Sequence, residues 1–118
     1  MRTTKFSSRF KKDYKRLRSS EHSRSIATDL PNALYLLAND LPLPERFRDH
    51  ALTGIWKGFR DCHIRPDLVL IYRKPEPDLL ELARIGSHSE LLTNRTQRMR
   101  YRRTHPFATL PLDIPLSP

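Results

Sequence analysis

The feature that most constrains the fold is the run LVLIYR at 68–73, which is apolar on both faces of an extended chain. A strand of this kind is buried on both sides, so it predicts the centre of a sheet. Turns bracket it at 65–67 and 74–78, and further strands are predicted over 55–64 and 79–86. Because connections this short join antiparallel neighbours, the three strands predict a small antiparallel sheet.

Two helices are predicted before that sheet. Apolar residues at helical spacing indicate a helix over about residues 8–19, and Ser7 can cap its start. A second pattern begins near residues 24–29 and ends near Asn39, with Pro31 either in its first turn or at a kink. Together with a short N-terminal strand, these elements predict an α+β domain in which two N-terminal helices pack on the antiparallel sheet.

The C-terminal part differs in composition from the rest. We predict one domain over residues 1–92 and a basic, proline-containing, poorly ordered extension over 93–118. The net charge of +9 is concentrated at the two ends, which favours nucleic acid or an acidic protein as a partner. Lone Cys62, and the lack of any apolar run long enough for a membrane helix or a signal peptide, predict a cytoplasmic protein.

Three of the five histidines, His50, His63 and His88, lie beside predicted strand ends. Imidazole exchanges protons near neutral pH, so such a group can cut RNA without a metal or other cofactor. A base removes the 2′-OH proton, the oxygen attacks phosphorus, and an acid protonates the departing 5′ oxygen. Asp67 and Asp61 are candidates to orient a histidine or to act as the base.

Cationic side chains complete this candidate site. Phosphate charge can be stabilised by guanidinium and ammonium groups, for which the candidates are Arg60, Arg84 and Lys57. The basic face of the first helix is a candidate for contacts with RNA phosphates, through Lys11, Lys12, Lys15 and Arg16.

Two alternatives use the same stretch of sequence. One alternative is that the histidines bind zinc, although their spacings are not of the short paired kind. A non-catalytic basic RNA-binding module would offer Trp56, Phe59 and Tyr72 for base stacking, whereas the core is the more common place for Trp56 and Tyr72.

Several segments between residues 41 and 88 resemble one family. They are PLP, DH-x-L-x-G, WKGFRDCH, PDLVLIY and GSH. With them, residues 5–92 resemble the RelE/ParE superfamily of bacterial type II toxins, and specifically its YafQ-like branch of ribosome-dependent mRNA endonucleases. The resemblance departs at Leu92, where the family usually has an aromatic residue that could help to hold the substrate base, and this departure puts full activity in question.

The resemblance implies a function and a set of catalytic residues. A protein of this kind enters the ribosomal A site, cleaves translated mRNA and is neutralised by a cognate acidic antitoxin. Carried over by position, the resemblance assigns catalysis to His50, His63, Asp67 and His88, with Asp61 close by. A gyrase-poisoning toxin of the same superfamily, which needs no histidine group, is the alternative.

Overall fold

The computed structural model describes residues 1–92 and the backbone of residues 107–109. In that part of the chain, one sheet has the strand order β2-β3-β4-β5-β1-β6. The strands are β1 (Thr3–Ser7), β2 (His50–Ala51), β3 (Arg60–Arg65), β4 (Leu68–Arg73), β5 (Leu79–Gly86) and β6 (Phe107–Thr109). Strand β4 lies inside the sheet and is buried along its length except at Arg73, as its sequence predicts.

The α+β class is confirmed, but the sheet is mixed and not wholly antiparallel. Strands β2 to β5 are joined antiparallel, whereas β1 pairs in parallel with β5, from Thr3 opposite Leu79 to Phe6 opposite Leu82. A parallel pair requires a long crossover, and the helices and strands between β1 and β5 supply one. The prediction of a wholly antiparallel sheet was wrong because it rested only on the short connections after residue 55.

The two predicted helices are present as α1 (Ser8–Arg18) and α2 (Ser23–Ala38). Ser7 caps α1 as predicted, since its Oγ accepts a hydrogen bond from the Phe10 N–H at 3.0 Å. Helix α2 continues through Pro31 instead of starting there. Proline has no N–H for the carbonyl four residues earlier, but Ala27 is exposed, so that carbonyl can bond to water.

The predicted strand over 55–64 exists only in its second half. Residues Gly54–Trp56 form a single 3-10 turn, and β3 begins at Arg60. Gly54 and Gly58 have φ angles of 67° and 93°, in the left-handed region, so the chain cannot stay extended between them. The turn buries Trp56, whose side chain the alternating pattern had placed on a strand.

Apolar side chains form two clusters, one on each face of the sheet. Helices α1 and α2 cover the larger one, to which Cys62, Leu70 and Leu82 contribute from the sheet. The smaller cluster lies on the other face and consists of Trp56, Phe59, Val69, Ile71, Ala83 and Leu91. This second face carries no long helix, which leaves room for a site there.

The predicted C-terminal extension lies mostly outside the described residues. Its segment Phe107–Thr109 forms β6, which pairs antiparallel with β1 at the edge of the sheet. The boundary predicted at residue 92 remains a prediction. In the described part of the chain, no helix is long and apolar enough to cross a membrane.

Candidate active site

The register of the sheet brings two histidines beside one buried carboxylate. Asp61 and His63 are two residues apart on β3, so their side chains lie on the same face. On the neighbouring strand, His50 is the direct partner of Asp61. This is the face that carries the smaller apolar cluster.

The third histidine reaches the same region from the far side of β4. His63 is opposite Val69, and Val69 is opposite Gly86, the last residue of β5. His88 follows two residues later as the first residue of helix α3 (His88–Leu92). The rings of His63 and His88 lie 6.5 Å apart between centroids. We refer to His50, His63 and His88, arranged around Asp61, as the histidine group.

Asp61 is the electrostatic centre of this group. Its side chain is fully buried, and neither carboxylate oxygen accepts a well-aligned hydrogen bond from the described residues. Burial raises the pKa of the Asp61 carboxyl, and the positive charges of protonated His50, His63 and His88 oppose that rise. All three imidazoles are therefore close enough to Asp61 to interact with it electrostatically.

His50 is oriented by a backbone carbonyl and lies beside Asp61. Its Nδ1 lies 2.9 Å from the carbonyl oxygen of Arg48 and 2.9 Å from Oδ1 of Asp61. A carbonyl oxygen cannot donate a hydrogen bond, so Nδ1 carries the hydrogen. In the neutral ring Nε2 is consequently the unprotonated nitrogen, and the side chain is 57% exposed. His50 can therefore accept a proton from a bound molecule.

Helix α3 folds back against β5 and fixes the position of His88. Gly86 is close to the side chains of this helix, since a Cβ there would lie 3.3 Å from Cδ2 of Leu91. The Oγ of Ser87 accepts a hydrogen bond from the Glu90 N–H at 3.1 Å, and Leu91 is fully buried. Glu90 also forms an ion pair of 3.0 Å with Arg16 of α1.

Asp67 and Lys57 lie at opposite ends of β3. Asp67 is exposed in the turn that leads to β4, at the end of the sheet where His63 and His88 lie. No hydrogen bond or ion pair joins it to the described residues, so its predicted catalytic role stays a prediction. Lys57 is exposed in the loop before β3, at the other end of that strand. Its predicted role in the site finds no geometric support.

Two predicted phosphate contacts have other partners in the structure. Arg60 is adjacent to Asp61 on the strand and points to the opposite face, where its Nη2 donates to Asp49 at 2.9 Å. Arg84 is only 3% exposed, and its guanidinium donates to Asp13 of α1 at 2.9 and 3.0 Å. Arg84 is therefore inaccessible to a phosphate. The Arg60 side chain is 44% exposed but lies on the face opposite the histidine group, so its predicted phosphate contact stays a prediction.

Most of the basic face predicted on α1 is available to a ligand. Lys11, Lys12 and Lys15 are exposed, whereas Arg16 is partly neutralised by Glu90. Helix α1, which carries these side chains, is joined to α3, which carries His88, by the Arg16–Glu90 ion pair. The placement is compatible with the predicted phosphate contacts.

The three aromatic side chains considered for base stacking lie in the core. Trp56, Phe59 and Tyr72 are 1%, 7% and 2% exposed, so they cannot stack on bases. Among the described residues, no three histidine, cysteine or acidic side chains are grouped closely enough to hold a metal ion.

Sequence reasoning missed the contacts that orient the histidines. Asp49 precedes His50 directly and binds both Arg60 and Tyr72, while Glu90 holds α3 against α1. The signal for Asp49 was its adjacency to a candidate base. No pattern in the sequence indicated the pairing of Glu90 with Arg16.

Similarity to known proteins agrees with this architecture. Residues 2–93 match the family model described as a bacterial toxin of type II toxin-antitoxin systems, YafQ. A YafQ protein of Haemophilus influenzae is 43% identical over 88 residues, which are 72% of this chain and 86% of that protein. The mRNA interferase toxin YafQ of Escherichia coli K12 is 38% identical over 94 residues, or 76% of this chain and 95% of that protein.

The same relationship is seen in three dimensions. A chain in the crystal structure of the E. coli DinJ-YafQ complex superimposes with a TM-score of 0.64 at 37% identity, covering 78% of this chain and 99% of that chain. Fold and site together define a toxin of a type II toxin-antitoxin system. More narrowly, the chain belongs to the YafQ family, which confirms the resemblance seen in the sequence.

Proposed function

We propose that this protein is a cytoplasmic mRNA endonuclease, the toxin of a type II pair, which cleaves messages on the ribosome by metal-independent acid–base chemistry. The observation that carries the proposal is the convergence of His50, His63 and His88 around buried Asp61. The name of the E. coli relative, an mRNA interferase toxin, supports the same activity for this chain.

The geometry favours His50 as the base. Its Nδ1–H donates to the Arg48 carbonyl and lies beside Asp61, so Nε2 of the partly exposed ring accepts the proton of the 2′-OH. The 2′ oxygen attacks the adjacent phosphorus, and the bond from phosphorus to the 5′ oxygen breaks. Asp61 stabilises the imidazolium that forms, as a carboxylate beside a catalytic histidine does.

The pair His63 and His88 supplies the acid and a positive charge. With their rings 6.5 Å apart, one imidazolium protonates the departing 5′ oxygen while the other lies beside the phosphate and balances its developing charge. Asp67, in the adjacent turn, orients one of these rings once substrate is bound. The exposed lysines of α1 attract the RNA backbone.

An acidic antitoxin is the proposed protein partner. The relative from E. coli was crystallised in the DinJ-YafQ complex, and the net charge of +9 on this chain favours an acidic segment. An antitoxin that covers the histidine group or the α1 lysines would block access of RNA to the site. We assign the toxin activity to residues 1–92, which nearly coincide with the family match.

Induced expression followed by primer extension on ribosome-bound mRNA tests this function. The wild-type protein is expected to produce defined cuts in translated messages and to stop growth. His63→Ala and His88→Ala are each expected to reduce the cleavage rate by roughly 100-fold or more, because each removes one proton-transferring or charged group. His22→Ala, outside the histidine group, is the matched control.

Three outcomes would contradict the proposal. If both variants were as toxic as the wild-type protein, the acid–base assignment would be wrong. Intact mRNA together with accumulating DNA breaks would instead indicate a gyrase-poisoning toxin. RNA binding that weakens steeply with salt and never leads to cleavage would indicate a non-catalytic basic module.

A further inference from the structure

We propose that Asp49 is a positioning residue for catalysis: held by Arg60 and Tyr72 on one face of the sheet, it keeps His50 correctly oriented on the other. This inference rests on the proposed function, in which His50 is the base. The resemblance assigns no catalytic role to Asp49, and the three side chains lie outside the histidine group. We call Asp49, Arg60 and Tyr72 the Asp49 clamp.

The clamp consists of charge-assisted hydrogen bonds that converge on one carboxylate. Arg60 donates to Oδ2 of Asp49 from Nη2 at 2.9 Å and from Nε at 3.2 Å. The hydroxyl of Tyr72 donates to Oδ1 of the same carboxylate. Fork-shaped contacts of this kind fix direction as well as distance. Both carboxylate oxygens are therefore held at once.

Tyr72 is a permanent donor in this arrangement. Its side chain is 2% exposed. Burial, reinforced by the hydrogen bond to Asp49, raises the pKa of the phenol above its ordinary range. The hydroxyl therefore keeps its hydrogen throughout the pH range in which an imidazole can act as a base.

The sheet register places the clamp directly behind the catalytic face. Arg60 is the cross-strand partner of Tyr72 on one side and of Ala51 on the other, and Asp61, the next residue, is the partner of His50. Successive residues of a strand point to opposite faces. The clamp and the His50–Asp61 contact thus lie on opposite faces at the same point of the sheet.

Strand β2 needs such an anchor because it is short and lies at the edge of the sheet. It contains only His50 and Ala51, both exposed, and among the described strands it pairs with β3 alone. Just before it, Arg48 adopts a left-handed backbone with φ of 47°, and its carbonyl accepts the Nδ1–H of His50. Asp49 joins these two residues. If its carboxylate is released, the Arg48 carbonyl and the His50 ring can both move.

The Asp49→Asn variant tests the inference, because the amide keeps the size of the side chain and removes its charge. The matched control is Asp40→Asn. Asp40 accepts hydrogen bonds from Arg2 and Lys74 at 2.8 Å each. Asp40→Asn therefore also weakens the contacts of a carboxylate with two cations, but at a place away from His50. Tyr72→Phe, which deletes one hydroxyl, is the second test variant in case Asp49→Asn does not fold.

Two measurements are made on the full chain. The ¹⁵N chemical shifts of the His50 ring at alkaline pH show which nitrogen carries the hydrogen. Single-turnover cleavage of ribosome-bound mRNA, measured against pH, gives the rate and the affinity separately. In the wild-type protein we expect the hydrogen on Nδ1. In Asp49→Asn we expect a mixture of tautomers and a rate lowered on the order of 10- to 100-fold with little change in affinity, as for a misplaced catalytic group.

Tyr72→Phe should show the same changes to a smaller extent, and Asp40→Asn should match the wild type in both measurements. If a folded Asp49→Asn or Tyr72→Phe variant keeps the Nδ1–H tautomer and the wild-type rate, the clamp has no positioning role. If the wild-type protein cleaves no RNA, the proposed function fails by itself, and the ring ¹⁵N shifts still show whether the clamp orients His50.

Discussion

Replacing Asp13 with alanine should destabilise the fold strongly, because Asp13 neutralises a buried arginine. Its carboxylate accepts hydrogen bonds from Arg84 at 2.9 and 3.0 Å and from the N–H of Ile85 at 3.2 Å. The side chains of Asp13 and Arg84 are 5% and 4% exposed. After Asp13→Ala the guanidinium would stay buried without its carboxylate. This loss costs about 3–5 kcal/mol, a large part of the roughly 5–15 kcal/mol expected for a domain of this size.

Urea unfolding followed by the fluorescence of Trp56, the single tryptophan, measures this effect. At constant m-value, the unfolding midpoint should shift in proportion to the lost free energy. The control is Asp29→Ala, which breaks an exposed pair with Arg65 at 3.9 Å and should cost less than about 1 kcal/mol.

A double variant, Asp13→Leu with Arg84→Met, separates the charge from the packing. It removes both partners, leaves no buried charge at this position, and should be more stable than Asp13→Ala alone. The reasoning is refuted if Asp13→Ala costs no more than the Asp29 control, or if the double variant is the less stable of the two. Either result would mean that the Arg84 charge is compensated elsewhere.

Three further predictions concern single side chains. Burial raises the pKa of the Asp61 carboxyl, so its ionisation weakens the fold as pH rises through that pKa. In urea unfolding, Asp61→Asn should therefore gain stability over wild type between acidic and neutral pH, and an equal difference at both pH values would contradict this. Ser7→Ala loses the bonds to the Phe10 N–H and the Ala83 carbonyl and should lower the unfolding free energy by about 1–2 kcal/mol in the same assay, whereas an unchanged midpoint would exclude the cap. Lys12→Gln should change how strongly salt weakens the binding of single-stranded RNA. The slope of the logarithm of the association constant against the logarithm of the salt concentration should fall by about 0.7 in magnitude, and an unchanged slope would exclude a phosphate contact.

The helices and inner strands were predictable because each has a local signal. Strands β4 and β5 coincide with the predicted residues 68–73 and 79–86, since turn-forming residues bracket both runs. Helix α1 has an apolar stripe and a capping serine. The start of β3 was not predictable from alternation alone, because two left-handed glycines interrupt a pattern that otherwise continues.

The candidate site was predictable in its residue types and less so in its geometry. The sequence indicated the three histidines and Asp61, which the structure brings together. It misplaced Arg84 because the partner, Asp13, lies 71 residues earlier, and no periodicity connects the two. It also gave no sign of β2, since two residues are too few to show alternation.

The pairing of β1 with β5 has a consequence for how the protein is made. Residues Thr3–Phe6 meet their partners only after Leu79–Leu82 have been synthesised and have left the ribosome. Contacts between such distant parts of a chain form late and slowly. The sheet can therefore be completed only after most of the domain has been translated.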